Sequence, residues 1–420
     1  MVHCPLRRRA DRVRVELGLG LVASVLLSES ASLTARETLT VLGGGGVTVD
    51  VVDSGRWTIG RFSRWCRHAV SVPAPGADPV EYLRRIGELV AEHRYDAVLA
   101  THEQAWLFAA GRHLLPADVP IAMAPIAAFD RVQGKVEFAE LLDELVIPQP
   151  RWWRSNKRPD DAPYPHWVKA SHGTAGRMVR HVRNQAEEQA AVVEFSAAGE
   201  PVMGQEPATG QYGQVQALFE DGRMVAVHTS VQIGAGAGGS AAARMSVDHP
   251  EARQYARTIG EYLGWHGGLT LDYLHVKGRP RFIECNPRTI EPGNAAAAGV
   301  DLPAMTIALS RGDTLPQGVR TGRAGVRTRS ALALVLGAAE HGTRRAVAAT
   351  LLDLLVRRGD LGHAREVLTP IMRDPPSTLP LAVATAEVLL NPARASTLAR
   401  GAVGSYSITP TEIDRVRGAR

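Results

Sequence analysis

The chain has 420 residues, 45% hydrophobic and 22% charged, with a net charge of +5. This is an ordinary globular composition with length for two to four domains or subdomains, and no apolar run reaches the roughly 18 residues a membrane span needs. All but four of the 48 basic residues are arginine, scattered rather than gathered into a stripe with aromatics, which argues against a nucleic-acid partner.

Arg7-Arg8-Arg9 and the apolar stretch after it loosely resemble the start of a signal peptide. Glu16 interrupts that stretch, and "SES" is no small-residue cleavage site. The reading is a short tail leading into a buried strand near 22–27. Cys4, Cys66 and Cys285 are far apart, which fits a reducing, cytoplasmic setting without disulfides or a cysteine metal site. "ASVLLSES", "LTARETLTVL" and "GGGGVTVDVVD" read as strand, helix and strand. The four glycines precede a strand instead of opening a helix, so they read as a turn rather than a dinucleotide loop. "DPVEYLRRIGELVAEH" has the apolar spacing of an amphipathic helix, and "YDAVLAT" reads as another short buried strand. Residues 1–125 are thus expected to form a small parallel α/β domain.

"KVEFAELLDELVIPQP" reads as a helix stopped by prolines, and 151–165 as an exposed loop. "HWVKASHGTAGRMVRHV" reads as strand, glycine turn, strand, followed by a helix over "NQAEEQAAVVEFSAAG". Two strand patterns flank 220, and "GAGAGGS" at 234–240 reads as a flexible loop. "HPEARQYARTIGEYLGW" reads as a helix capped by Asp248 or His249. Residues 331–420 have helical periodicity and no motif; they are left to pack on the preceding region or to support a homodimer.

The chemistry concentrates in "GLTLDYLHVKGRPRFIECNPR", two strand patterns around Lys277-Gly278-Arg279. A three-residue loop puts Asp272 opposite Glu284, on one face with Asn286. Opposed carboxylates repel. A hard divalent cation on the three oxygen donors relieves that repulsion. Two exposed, separately solvated carboxylates are the plain alternative, and an Arg288–Glu284 ion pair is another.

Asp272, the hairpin and "FIECNPR" resemble the metal-binding end of ATP-grasp carboxylate–amine ligases, over roughly residues 20–330. The resemblance implies an α/β chain: a two-lobed α+β grasp fold, small lobe 126–204 and large lobe 205–330, preceded by the parallel domain and followed by the helical region. It implies ATP and Mg²⁺ (or Mn²⁺) as cofactors, with Asp272, Glu284 and Asn286 as metal ligands. Lys135 and Lys169 then grip phosphate. His172, Gly173, Thr174 and Gly176 form a phosphate loop, although a bland hairpin turn is equally consistent with those residues. Gln205, Glu206 and Ala208 fall in the adenine hinge, while Gln211 and Tyr212 stand where relatives carry a ribose-binding acid. Arg288 and Lys169 are the catalytic candidates, and Glu291, Asn294 and His228 the substrate candidates. The implied reaction joins a small-molecule carboxylate to an amine through an acyl phosphate. An ATP-grasp carboxylase or carbamoyl-phosphate-type kinase, and a non-catalytic nucleotide-binding protein, are the competing readings.

Overall fold

The computed structural model describes residues 23–173, 176, 178–340, 342–401 and 403–419. The expected N-terminal tail and Thr174 lie outside the described residues.

The first unit alternates β1 (Ser24–Leu27), α1 (Leu33–Gly43), β2 (Thr48–Asp53), β3 (Cys66–Ser71), α2 (Pro79–His93) and β4 (Ala97–Leu99). All pairings are parallel, in the order β3-β2-β1-β4. Ser32 and Asp78 cap the two helices by accepting from Ala35 and Glu81 backbone N–H groups. Strand β3 was not anticipated, because it is a polar edge strand without apolar alternation. Buried Asp50 secures it through Arg67 Nε at 2.9 Å. Helices α3 (Gln104–Ala110) and α4 (Ile126–Phe129) follow.

The second unit is α5 (Lys135–Glu144), β5 (Trp152–Arg154), β6 (His166–Ala170), β7 (Val179–Val182), α6 (Gln185–Ala197) and β8 (Val202–Gln205). Its antiparallel sheet runs β5-β8-β6-β7. Gly204 in β8 is required by close approach, since a Cβ there would lie 2.3 Å from the Trp153 ring.

The large sheet holds β9 (Gln211–Glu220), β10 (Arg223–Ala235), β11 (Ala241–Ser246), β12 (Gly267–Val276) and β13 (Arg279–Asn286), with α7 (Pro250–Tyr262) between β11 and β12. Helices α8 (Gly293–Ala298) and α9 (Leu302–Ser310) precede short β14 (Arg320–Thr321), β15 (Arg327–Arg329) and β16 (Arg365–Glu366). The strand order is β13-β12-β9-β10-β11-β15-β16, with β14 beside β10. His249, rather than Asp248, caps α7. The glycine-rich stretch after β10 is a short hairpin connection, where Gly238 N donates to Glu340 Oε2 at 2.6 Å.

The β12–β13 turn differs from expectation. Val276 pairs with Arg279, so the loop has two residues, Lys277 and Gly278, at φ 48° and 85°. Both lie in the left-handed region that a tight hairpin turn demands. That turn alone would separate Asp272 from Glu284. A β-bulge between Asp272 and Tyr273 restores them: Tyr273 pairs with Phe282, and Asp272 with Glu284. The expected pairing therefore holds through two compensating departures.

The main core joins α2, α3 and α7 to the large sheet through Phe108, Phe129, Trp265, Tyr273 and Phe282. The C-terminal helices are α10 (Ala331–Glu340), α11 (Arg344–Leu355), α12 (Gly359–His363), α13 (Thr378–Leu390), α14 (Ala395–Gly401) and α15 (Pro410–Gly418). Helix α15 returns to the first unit, where Ile413 and Val416 enter the main core. Among the described residues, no helix is long and apolar enough to cross a membrane.

Candidate active site

The hairpin supplies the acids. Asp272 is 5% exposed. Its Oδ1 accepts from Gln214 Nε2 at 3.0 Å, and its Oδ2 from Asn286 Nδ2 at 3.1 Å. Burial, then the facing Glu284, push its pKa up to about 6, against hydrogen bonds from Gln214 and Tyr212. Glu284 takes the opposite course. Burial raises it, but Lys135, Lys169 and Arg288 outweigh burial and hold its carboxylate below the ordinary range. The two facing carboxylates thus sit in different fields, one short of positive charge and one surrounded by it.

The cations come from the second unit and from the end of β13. Lys135, the first residue of α5, places Nζ 3.3 Å from Glu284 Oε1 and donates to the Gly173 carbonyl at 3.4 Å. Lys169 on β6 donates to Gln205 Oε1 at 2.6 Å, and its burial pushes its pKa down to about 8. Arg288 is 7% exposed and donates to Asn286 Oδ1 at 3.1 Å. Its buried Nε has no partner. Two carboxylates and an amide oxygen are a hard donor set, and a cation there would relieve Asp272, which faces Glu284 and is held above its ordinary range, so these residues fit Mg²⁺ or Mn²⁺. Among the described residues no set of three His, Cys, Asp or Glu side chains converges, the hairpin supplying two carboxylates and the Asn286 amide.

The loop after β6 lies next to these cations. A Cβ on Gly173 would approach Met178 to 2.7 Å, and Gly176 has φ 69°. His172 turns away from the acids. Its Nδ1 lies 2.9 Å from Glu200 Oε2, and its ring stacks on Trp106 of α3 at 5.2 Å and 5°. In the hinge, Gln205 is buried and engaged by Lys169. Glu206 points to Arg151 at 3.5 Å, and Ala208 is half-buried in the following loop. Gln211 Nε2 donates to the Gln232 carbonyl at 3.0 Å, and Tyr212 bonds Asp272, so both side chains are already engaged.

Of the substrate candidates, His228 and Asn294 face each other at 2.7 Å, fully buried, and Asn294 also donates to Thr328 at 2.8 Å. Burial pushes His228 down to about 4, so the ring is neutral. These two tie β10 and α8 to β15. Glu291 lies at φ 40° with its carboxylate 2.8 Å from Arg244 NH2.

Sequence reasoning missed His102, which follows β4. Its Nδ1 lies 3.5 Å from Arg288 NH2, and its ring packs on Tyr406 at 3.9 Å. Burial, then Arg288, push its pKa well below the ordinary value, so it is neutral beside the guanidinium. No local pattern marks it. Gln214 and Gln216 were readable: they break the apolar run of β9 at alternate positions, which puts both on one face.

No family model matches the sequence, and a search of curated proteins finds no relative. Solved structures share the fold. The ADP complex of N5-carboxyaminoimidazole ribonucleotide synthetase superposes with a TM-score of 0.57 at 12% identity, covering 80% of this chain and 85% of that one. Biotin carboxylase from Campylobacter jejuni gives 0.55 at 16%, covering 70% and 72%. L-amino acid ligase from Bacillus licheniformis gives 0.50 at 15%, covering 69% and 74%. The chain has the ATP-grasp fold, as the hairpin motif implied.

Proposed function

We propose that the protein is an ATP-dependent ligase that joins a carboxylate to an amine through an acyl phosphate, releasing ADP and phosphate. The observation that carries this reading is the pair of opposed acids, Asp272 and Glu284, set against three cations from separate segments, Lys135, Lys169 and Arg288. A triphosphate with its divalent ion has the charge pattern complementary to such a wall.

Lys135 and Lys169 meet phosphate oxygens, while the backbone at Gly173 and Gly176 approaches them closely. Gln205, Glu206 and Ala208 border the adenine. Mg²⁺ (or Mn²⁺), held by Asp272, Glu284 and Asn286, supplies neutralisation of phosphate charge. The substrate carboxylate oxygen attacks the γ-phosphorus, and the bond to the ADP oxygen breaks. Arg288 steadies the negative charge on the transferring group, and neutral His102 leaves that guanidinium free of competing charge. The amine then attacks the acyl carbon, forms the amide and expels phosphate, the amine's proton passing to the departing phosphate or to water. No protein base is assigned to the amine.

The test is ADP release and product mass across a panel of acid and amine pairs. AMP in place of ADP would overturn the acyl-phosphate route. A carboxylase reading draws on the fold shared with biotin carboxylase. Bicarbonate-dependent ADP release without an amine would favour it.

A further inference from the structure

The arginines, scattered over the chain as a whole, gather beside aromatic rings in the segment that leaves β2. Between Asp53 and Asp78 the chain carries Arg56, Arg61, Arg64 and Arg67 and no acid. Arg67 is spent on Asp50, at 2.9 and 2.6 Å. Arg56 and Arg64 are exposed, and among the described residues neither they nor Arg61 has a carboxylate within ion-pair reach. Arg61 also keeps its Nε buried without a partner. Trp57 stands between these guanidinium groups, 83% exposed. Its ring lies on Phe62 at 5.9 Å and 18°, which holds the indole at the surface in a fixed attitude.

The segment is fastened from below. The Gly60 N–H donates to the Ser30 carbonyl at 2.9 Å, and Ser63 Oγ and the Arg64 N–H donate to Asp374 at 2.7 and 2.8 Å. The helical turn Ile59–Phe62 packs on Pro375–Ser377 and on α13. There the surface becomes aliphatic. Leu379 and Val383 of α13 are exposed, Met372 beside Asp374 is 94% exposed, and residues 375–386 carry no charge. Tryptophan, methionine and arginine are the side chains favoured where proteins meet, and an exposed apolar patch with a polar rim marks such a surface.

The charge selects the occupant. A second copy meeting this face with its own would set arginine against arginine with no acid between them. A nucleic acid would engage the guanidinium groups and stack on Trp57, but it has nothing for Met372, Leu379 and Val383. We propose that this face docks an acidic protein segment with aliphatic side chains set among its carboxylates. Arg56, Arg61 and Arg64 meet the carboxylates, while Trp57, Leu379 and Val383 cover the aliphatic groups. The first sheet is parallel, so the segments after β2 and β4 leave it at one edge, and the docked partner lies on the edge where His102 meets Arg288.

An array of short synthetic peptides, with glutamate and leucine at varied spacings, tests the inference by fluorescence anisotropy against the full chain. We expect members of the array to bind, and their glutamine-for-glutamate and serine-for-leucine forms to bind about tenfold more weakly or not at all. Trp57→Ala should weaken a bound peptide about tenfold or more, and Arg56→Gln combined with Arg64→Gln by a similar factor. MgATP affinity should stay within about twofold in both variants, which also reports that they fold. The inference is overturned if no peptide binds, if the serine-for-leucine form binds equally, or if Trp57→Ala leaves binding unchanged. Tighter binding of an oligothymidylate than of any peptide would overturn it in favour of a nucleic-acid surface. Self-association in sedimentation that Trp57→Ala abolishes would overturn it in favour of an interface between copies.

Discussion

Two buried charge clusters in this molecule differ in how far they are completed. Asp374, fully buried, accepts from Arg36 NH2 at 2.6 Å, Ser63 Oγ at 2.7 Å and the Arg64 N–H at 2.8 Å. Arg36, 2% exposed, also donates to Thr40 at 2.6 Å. Nothing is left over, and the cluster fastens the C-terminal region to α1. At the hairpin, by contrast, Asp272 and Glu284 face each other, and Arg288 keeps a buried nitrogen unpaired. Burial of charge is common to both. On the function proposed above, that incompleteness is what a bound triphosphate and its cation would meet.

Substitutions can break this contrast. The largest effect is expected from Asp374→Ala, which leaves Arg36 buried and unpaired and should cost about 3–5 kcal/mol of unfolding free energy in denaturant titration. A loss under about 1 kcal/mol would remove the structural half of the comparison. Glu284→Gln should lower ADP release by about 10²–10³-fold, while relief of repulsion at Asp272 keeps stability within about 1–2 kcal/mol. Intact turnover would refute the assignment of the acids. Lys169→Met should weaken MgATP binding about 10- to 100-fold in equilibrium titration without destabilising the chain, since a buried cation is removed. The smallest effect concerns pH. Asp272 holds its proton more tightly when folded, so its contribution to stability is present below about pH 4 and lost as pH rises through about 6. Wild type should therefore lose about 1–2 kcal/mol relative to Asp272→Asn across that window, and less of it in Mg²⁺. A flat difference would mean that Asp272 is not the strained acid.

Much of the chain was legible. Helices α1, α2, α5, α6 and α7 were each read from their segments, α2 by its apolar spacing and α7 with a cap at Asp248 or His249, of which His249 is the one formed. That Asp272 faces Glu284 was read from the hairpin's spacing, whereas Lys135 and Lys169 were singled out only through the family resemblance. Strand β3 and the bulge at Asp272 were not legible: one is a polar edge, and the other is a backbone adjustment without a residue signature. His102, Trp106 and Arg244 were missed for another reason. Each is an ordinary residue in its own segment and gains meaning only when distant elements meet.

The parallel contact between Trp106 and His172 has a practical side. The indole belongs to the first unit, and the imidazole to the loop beside Lys135 and Lys169. One of the seven tryptophans in the chain therefore has its emission tied to the position of that loop. A difference spectrum between the wild type and Trp106→Phe would therefore read whether the second unit is seated on the first, against the emission of the six other tryptophans.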